Sequence, residues 1–302
     1  MKIAIATHTG HVKKENQDVH AYDAEHGDIV LADGMGGHVE GLAAAKLVCK
    51  TIIDNLAKSQ RDIDSLSRSL CDAIETANDT LLAGRKGDEI SGSTLVAAMP
   101  ISCGILTAHI GDSRLYRYRS GNIEQLTTDH SRVQEMLQAG LIQAGELARH
   151  PMRNVLTRSL GSESPISVDL GVHRIKPDDL FLMCTDGLEQ SVPTEKKLEI
   201  LADKVSTLEQ KVEQLMGLAL DGPASDNITV IVFQLETDGN LDVDLWTGFP
   251  KTVVCESGRW RDAVSTTRLF RQGRTAQRLC WLGWGVLLLA SLAAIIMWVF
   301  DL

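Results

Sequence analysis

The stretch TLVAAMPISCGILTAHIGDSRLYRYRSGNIEQLT (residues 94–127) contains four strand-forming runs, Thr94–Met99, Gly104–His109, Arg114–Tyr118 and Ile123–Thr127, separated by short breaks. No helical pattern intervenes between these runs. Ser120-Gly121, between YRYR and NIEQL, reads as a hairpin turn. Working outward, strand-like runs recur at Lys2–Thr7, Asp28–Ala32, Ser167–His173, Leu180–Cys184 and Ile228–Gln234. Helical periodicity covers Gly41–Ala57, Ser65–Gly84, Ser131–Ala139 and Thr194–Leu218. Strands that follow strands predict antiparallel sheets with helices packed outside, an α+β body; a doubly wound parallel sheet fits poorly.

The chain has 302 residues, 44% hydrophobic and 23% charged, which excludes a disordered, collagen-like or coiled-coil protein. Its six cysteines lie far apart with no CxxC pair, so they read as reduced apolar residues and not as a disulfide framework or zinc site. The net charge of -10 is unevenly spread: residues 251–278 are rich in arginine, which leaves the preceding body more acidic still. An acidic body without a basic stripe argues against nucleic acid as a ligand.

Residues 279–300 (LCWLGWGVLLLASLAAIIMWVF) carry no charge and, as a helix, would span roughly 33 Å, about a bilayer core. Trp281, Trp284 and Trp298 fall near its ends. Arginines precede the segment and only Asp301 and Leu302 follow, so the positive-inside rule predicts a single-pass inner-membrane anchor with the body in the cytoplasm. Ile3–Ala6 is too short an apolar run for a signal peptide. Residues 237–278 read as a basic juxtamembrane linker. Its Arg268, Arg271, Arg274 and Arg278 share a helical face that sets orientation and can meet anionic headgroups.

Four aspartates share one context, an apolar strand that ends beside a small or polar residue: Asp33 in IVLADGMGGH, Asp112 in AHIGDSRLY, Asp186 in LFLMCTDGL and Asp226 in ASDNITVIVF. A single Asp-Gly is an ordinary turn. Four carboxylates converging at strand ends would repel one another, a conflict that a hard divalent cation resolves through oxygen ligands.

In order along the chain stand TGHVKKENQD (9–18), LADGMGGHVEG (31–41), SGSTLVAA (91–98), HIGDSRLYRYRSG (109–121), LTTDHS (126–131), VLTRSLG (155–161), LMCTDGL (182–188) and SDNITVIV (225–232). This series resembles the metal-dependent protein serine/threonine phosphatases, the protein phosphatase 2C-like (PPM) family in its bacterial form, over about residues 1–236. The resemblance implies a four-layer αββα sandwich of two antiparallel sheets. It also implies Mn²⁺ or Mg²⁺, two and possibly three ions, and hydrolysis of phosphoserine or phosphothreonine on proteins by in-line attack of a metal-bridging water. Asp33 then resembles the bridging ligand, with the Gly34 carbonyl beside it. Asp186 and Asp226 resemble the remaining ligands of the first metal, Asp112 the ligand of a third, and Asp18 an outer residue holding metal-bound water. The implied partners are phosphorylated proteins and an opposing Ser/Thr kinase.

One position departs from the family pattern. Lys13 stands where the family usually has an arginine, and an ammonium offers phosphate a point charge in place of a two-pronged clamp. Lys13 is read either as a phosphate contact or as a solvated lysine. His38 could protonate a leaving alkoxide, contact substrate, or serve only the helix start. Arg114 and Arg158 read as loop-holding residues, Ser93 and Thr94 as strand-start residues. Two short matches to other phosphatases are set aside. Cys255 and Arg261 fit C-x5-R without its strand–loop–helix frame, and Asp242-Val243-Asp244 lacks a leading apolar strand. The rival reading is a non-catalytic metal-binding sensor of the same fold; it is disfavoured because Asp33, Asp186 and Asp226 are all present.

Overall fold

A computed structural model describes residues 1–85, 91–102, 104–236, 251–256 and 259–262. Its strands are β1 (Lys2–His8), β2 (Asp18–Asp23), β3 (Asp28–Met35), β4 (Gly92–Ser93), β5 (Leu95–Ile101), β6 (Gly104–Ile110), β7 (Arg114–Arg119), β8 (Asn122–Gln125), β9 (Ile166–His173), β10 (Leu180–Cys184), β11 (Ile228–Gln234), β12 (Lys251–Glu256) and β13 (Arg259–Asp262). Its α-helices are α1 (His38–Leu56), α2 (Ile63–Ala83), α3 (Arg132–Gln138), α4 (Asp186–Ser191), α5 (Thr194–Ala202) and α6 (Leu208–Asp221).

One sheet runs β1-β11-β10-β7-β8; the other runs β13-β12-β9-β6-β5-β3-β2, with β4 paired to β3. Every pairing is antiparallel; within residues 94–127, β5 pairs β6 and β7 pairs β8, while the chain crosses from one sheet to the other between β6 and β7. Ser120 and Gly121 both take positive φ and join β7 to β8 as the two-residue turn expected.

Alternation along the strands sorts the core into three apolar layers. Ile29 and Leu31 of β3 pack between the sheets with Phe181, Met183, Ile231 and Phe233. Val30 and Ala32 face the other way, onto Val48, Ile52, Leu70 and Ile74 of α1 and α2. On the opposite side, Leu182, Val230 and Val232 meet Leu188, Val212 and Leu215 of α4 and α6. Helix, sheet, sheet and helix therefore stack in four layers.

Several elements differ from the sequence reading. Thr194–Leu218 is two helices: Thr207 caps α6 in a reciprocal capping box with Gln210, so local hydrogen bonding ends one helix and starts the next. β2 and α4 were hidden because DVHAYD is short and weakly apolar and DGLEQS spans under two turns. Part of the stretch read as linker is strand: β12 pairs with β9, burying Val253 and Cys255 against the α1–α2 layer. Cys255 is thus a core residue, 2% exposed, and no part of a phosphate loop. β13, paired to β12, also falls in that stretch; the rest of the linker, Asp242–Asp244 included, and the apolar segment 279–300 lie outside the described residues, and among those described no helix is long and apolar enough to cross a membrane. Cys49, Cys71, Cys184 and Cys255 are buried and unpaired by disulfide.

Candidate active site

Antiparallel pairing gathers the acidic motifs at one end of both sheets. Asp186 follows β10, Asp226 precedes β11 and Asp112 precedes β7; these strands are neighbours, with Cys184 opposite both Val230 and Arg114. From the other sheet, Asp33 near the end of β3 stands in register with Asp18 at the start of β2. The sites predicted from separate motifs therefore meet.

The backbone beneath them is held tightly. Asp33 N donates to Thr94 Oγ1 (2.9 Å), Ser93 Oγ donates to the Asp33 carbonyl (3.1 Å), and Thr94 Oγ1 contacts Ser113 Oγ (2.8 Å). Ser93 and Thr94 are thus more than strand-start residues. A Cβ on Gly34 would lie 2.1 Å from the Gly41 carbonyl oxygen, so only glycine lets α1 start this close to Asp33. Asn227 Nδ2 donates to the carbonyls of Thr9 and Glu15 (both 2.9 Å), and its Oδ1 accepts from Gln17 N (2.9 Å). That one amide folds the 9–17 loop over the site.

The carboxylates perturb one another. Burial, then the charges of Asp18, Asp186, Asp112 and Asp226, raise the Asp33 carboxyl well above its ordinary range. Burial likewise lifts Asp18 to about 7, Asp112 to about 8 and Asp186 to about 6, with neighbouring aspartates adding to each. Asp18 Oδ2 accepts from Thr229 Oγ1 (2.7 Å) and Thr185 Oγ1 (2.9 Å), yet its Oδ1 is buried without a partner. Asp186 Oδ1 is in the same state. Among the described residues only four buried side-chain atoms lack a partner, and two of them face this cluster. Orphaned anionic oxygens in a set of repelling carboxylates are the donor chemistry of a hard divalent cation, so the residues fit Mn²⁺ or Mg²⁺.

Lys13 Nζ lies 2.8 Å from Asp226 Oδ1. Burial lowers its pKa, but the Asp226 hydrogen bond and the charges of Asp226, Asp33 and Asp186 outweigh that and raise it. The lysine is thus drawn to the cluster and held as the cation. His38 opens α1 beside the glycine run; its side chain lies outside the described residues.

Two polar networks support the cluster, and the sequence showed only their arginines. Arg114 donates from Nε and Nη2 to Asp129 (2.8 and 2.6 Å) and from Nη1 to Glu189 (2.5 Å), while the buried Lys197 meets the other Glu189 oxygen (2.5 Å). This ties β7, which follows Asp112, to α4, which begins with Asp186. In the second network, His109, His130 and Asp169 bring three potential ligand atoms within 4.8 Å of one another. Gly111 N donates to His130 Nδ1 (3.1 Å), so Nε2 carries the proton toward Asp169 Oδ2 (3.1 Å). Arg158 donates to Asp169 Oδ1 (2.9 Å), putting a positive charge at that trio. A cavity of about 510 Å³ opens beside the acid cluster, its lining including Asp112, Asp186, Arg153 and Asn154.

The description protein phosphatase 2C belongs to the family model that matches residues 7–220. Serine/threonine phosphatase stp of Listeria innocua is 31% identical over 242 residues, covering 78% of this chain and 96% of that protein. The structure of the Streptococcus agalactiae serine/threonine phosphatase superposes with a TM-score of 0.73 at 32% identity, over 78% of this chain and 99% of that one. The catalytic domain of serine threonine protein phosphatase PstP, solved with two manganese ions, gives 0.67 at 30% identity, over 76% of this chain and 96% of that one. Motif order, layered frame and similarity along nearly the full length of these relatives agree, and the chain belongs to the protein phosphatase 2C family of serine/threonine protein phosphatases.

Proposed function

We propose that this phosphatase requires Mn²⁺ or Mg²⁺, held by Asp33, the Gly34 carbonyl, Asp186, Asp226 and Asp112, and that it acts on phosphoserine and phosphothreonine of membrane-proximal proteins. The observation that carries the cation requirement is the pair of orphaned buried oxygens on Asp18 and Asp186 within a mutually repelling carboxylate set. Divalent cations supply Lewis acidity toward phosphoryl oxygens and a water acidified toward neutrality. The chain's own residues do the rest. Asp18, oriented by Thr185 and Thr229, offers its free oxygen as a hydrogen-bond acceptor; Lys13 draws a phosphate dianion to the mouth. Cys184, two residues before Asp186, is held as the thiol: burial and the Glu189 carboxylate push it well above its ordinary range.

Residues 279–300 would anchor the body to the inner membrane with the catalytic domain cytoplasmic, opposite a Ser/Thr kinase acting on the same targets. The support is the uncharged segment after an arginine-rich stretch. The test is hydrolysis of a phosphothreonine peptide by the purified protein with Mn²⁺, with EDTA, and after Asp33→Asn. Turnover should vanish in the last two; activity in excess chelator would refute the cation requirement, and an inert phosphopeptide beside a cleaved small ester would refute the substrate class.

A further inference from the structure

The strand β12 lies beyond the residues that the family model matches. The family model stops at residue 220, and a relative matched over 99% of its own length takes up only 78% of this chain. Docked on β9, β12 places Thr252 opposite Asp169, and Asp169 is in turn opposite His109 on β6. Thr252 Oγ1 donates to Asp169 Oδ1 at 2.7 Å. The other oxygen of Asp169 accepts from His130 Nε2 at 3.1 Å, and His130 Nδ1 accepts the Gly111 amide at 3.1 Å. His130 is stacked on His109, ring centroids 4.5 Å apart, so it has little room to turn. Gly111, at φ +105, is the residue immediately before Asp112, and a Cβ there would lie 2.6 Å from Thr94 Cγ2.

We infer that β12 is a positioning element for the active site, acting from Thr252 through Asp169 and His130 on the Gly111 amide and so on Asp112. The inference rests on the proposal that Asp112 is a cation ligand. A carboxylate shared among Thr252, Arg158 and His130 keeps a fixed rotamer only while its partners hold it. With the Thr252 hydroxyl removed, Asp169 Oδ1 keeps only its Arg158 bond (2.9 Å), and since Arg158 Nη1 also lies 3.2 Å from His130 Nε2, the carboxylate can shift off the imidazole and leave it without the acceptor that fixes its tautomer. The Gly111–Asp112 turn then loosens. Release of β12 from β9 would do the same, which makes β12 a means of tuning cation affinity.

The test uses the full chain carrying Thr252→Val, which keeps the shape and removes the hydroxyl, and Thr252→Ser, which restores it. Mn²⁺ binding is read by calorimetry, and the class held by Asp112 is the one lost in Asp112→Asn. In Thr252→Val that class should weaken roughly three- to tenfold, the scale of one lost charge-assisted hydrogen bond two groups away from the ligand. Its kcat at saturating Mn²⁺ should stay unchanged, while the Mn²⁺ concentration for half-maximal rate rises and Tm falls by no more than a few degrees. Thr252→Ser should bind as the natural protein does. Unchanged affinity in Thr252→Val overturns the inference, and so does equal weakening in both variants with a matching fall in Tm, which would assign Thr252 to packing alone. Calorimetry needs no turnover, so a natural protein that binds Mn²⁺ but cleaves no phosphopeptide would refute the functional proposal and still leave this comparison decisive.

Discussion

Replacing Asp18 by Asn should stabilise the cation-free protein at alkaline pH, although Asp18 belongs to the catalytic cluster. Its carboxyl is raised from 3.8 to about 7, mainly by burial. The fold therefore favours the protonated form, and its contribution to stability, full below pH 4, is lost as pH rises through 7. Above that range the ionised group destabilises the fold by about 1.4 kcal/mol per pKa unit, or about 4 kcal/mol as an upper bound, since neighbouring carboxylates share the strain. Asparagine carries no charge, and its amide oxygen can still accept from Thr185 and Thr229. In EDTA at pH 8 the variant should gain about 2–4 kcal/mol, roughly 4–15 °C in Tm for a body of this size. At pH 5 the natural carboxyl is already protonated in the fold, so the gain should fall by more than half. With saturating Mn²⁺ the order should reverse, because the natural protein recovers its stability by binding and the variant binds less tightly. The assay is thermal unfolding by circular dichroism at pH 5 and pH 8, with chelator and with Mn²⁺. An Asp18→Asn protein that melts below the natural one in EDTA at pH 8 would refute the electrostatic reasoning.

Lys13→Arg should lower KM for a phosphothreonine peptide about two- to fivefold at unchanged kcat, because a guanidinium adds a second parallel hydrogen bond to phosphate; an unchanged KM in steady-state kinetics would return Lys13 to the surface. Phe181→Ala should cost about 3–5 kcal/mol in urea unfolding, since this ring is fully buried between the sheets and stacked on Phe233 at 5.1 Å; a cost under about 1 kcal/mol would mean that the layer collapses to fill the gap. A chain ending at Asp262 should stay in the supernatant when membranes are sedimented while the full chain pellets, and protease outside spheroplasts should leave the full-length body uncut. A sedimenting truncated protein, or cleavage from outside, would remove the anchor or its orientation.

Local features are legible in the chain. An apolar run bordering an Asp beside a small or polar residue is written in a few adjacent residues, so Asp33, Asp112, Asp186 and Asp226 were readable, as was the Ser120-Gly121 hairpin, although Asp226 precedes β11 and does not end a strand. Strands that follow strands between residues 94 and 127 likewise pointed to antiparallel sheets, but not to the passage from one sheet to the other between β6 and β7. Only the tertiary structure decided which groups support those aspartates. Thr185 and Thr229 reach Asp18 across 167 and 211 positions, and Asn227 folds a loop more than 200 residues away. Ser, Thr and Asn occur throughout any chain, and nothing in their neighbours' identity marks the ones that bond a distant carboxylate. The strand KTVVCE went unread for a related reason: six residues gain strand character from the edge of β9 that they complete, an edge that exists only once the sheet has formed.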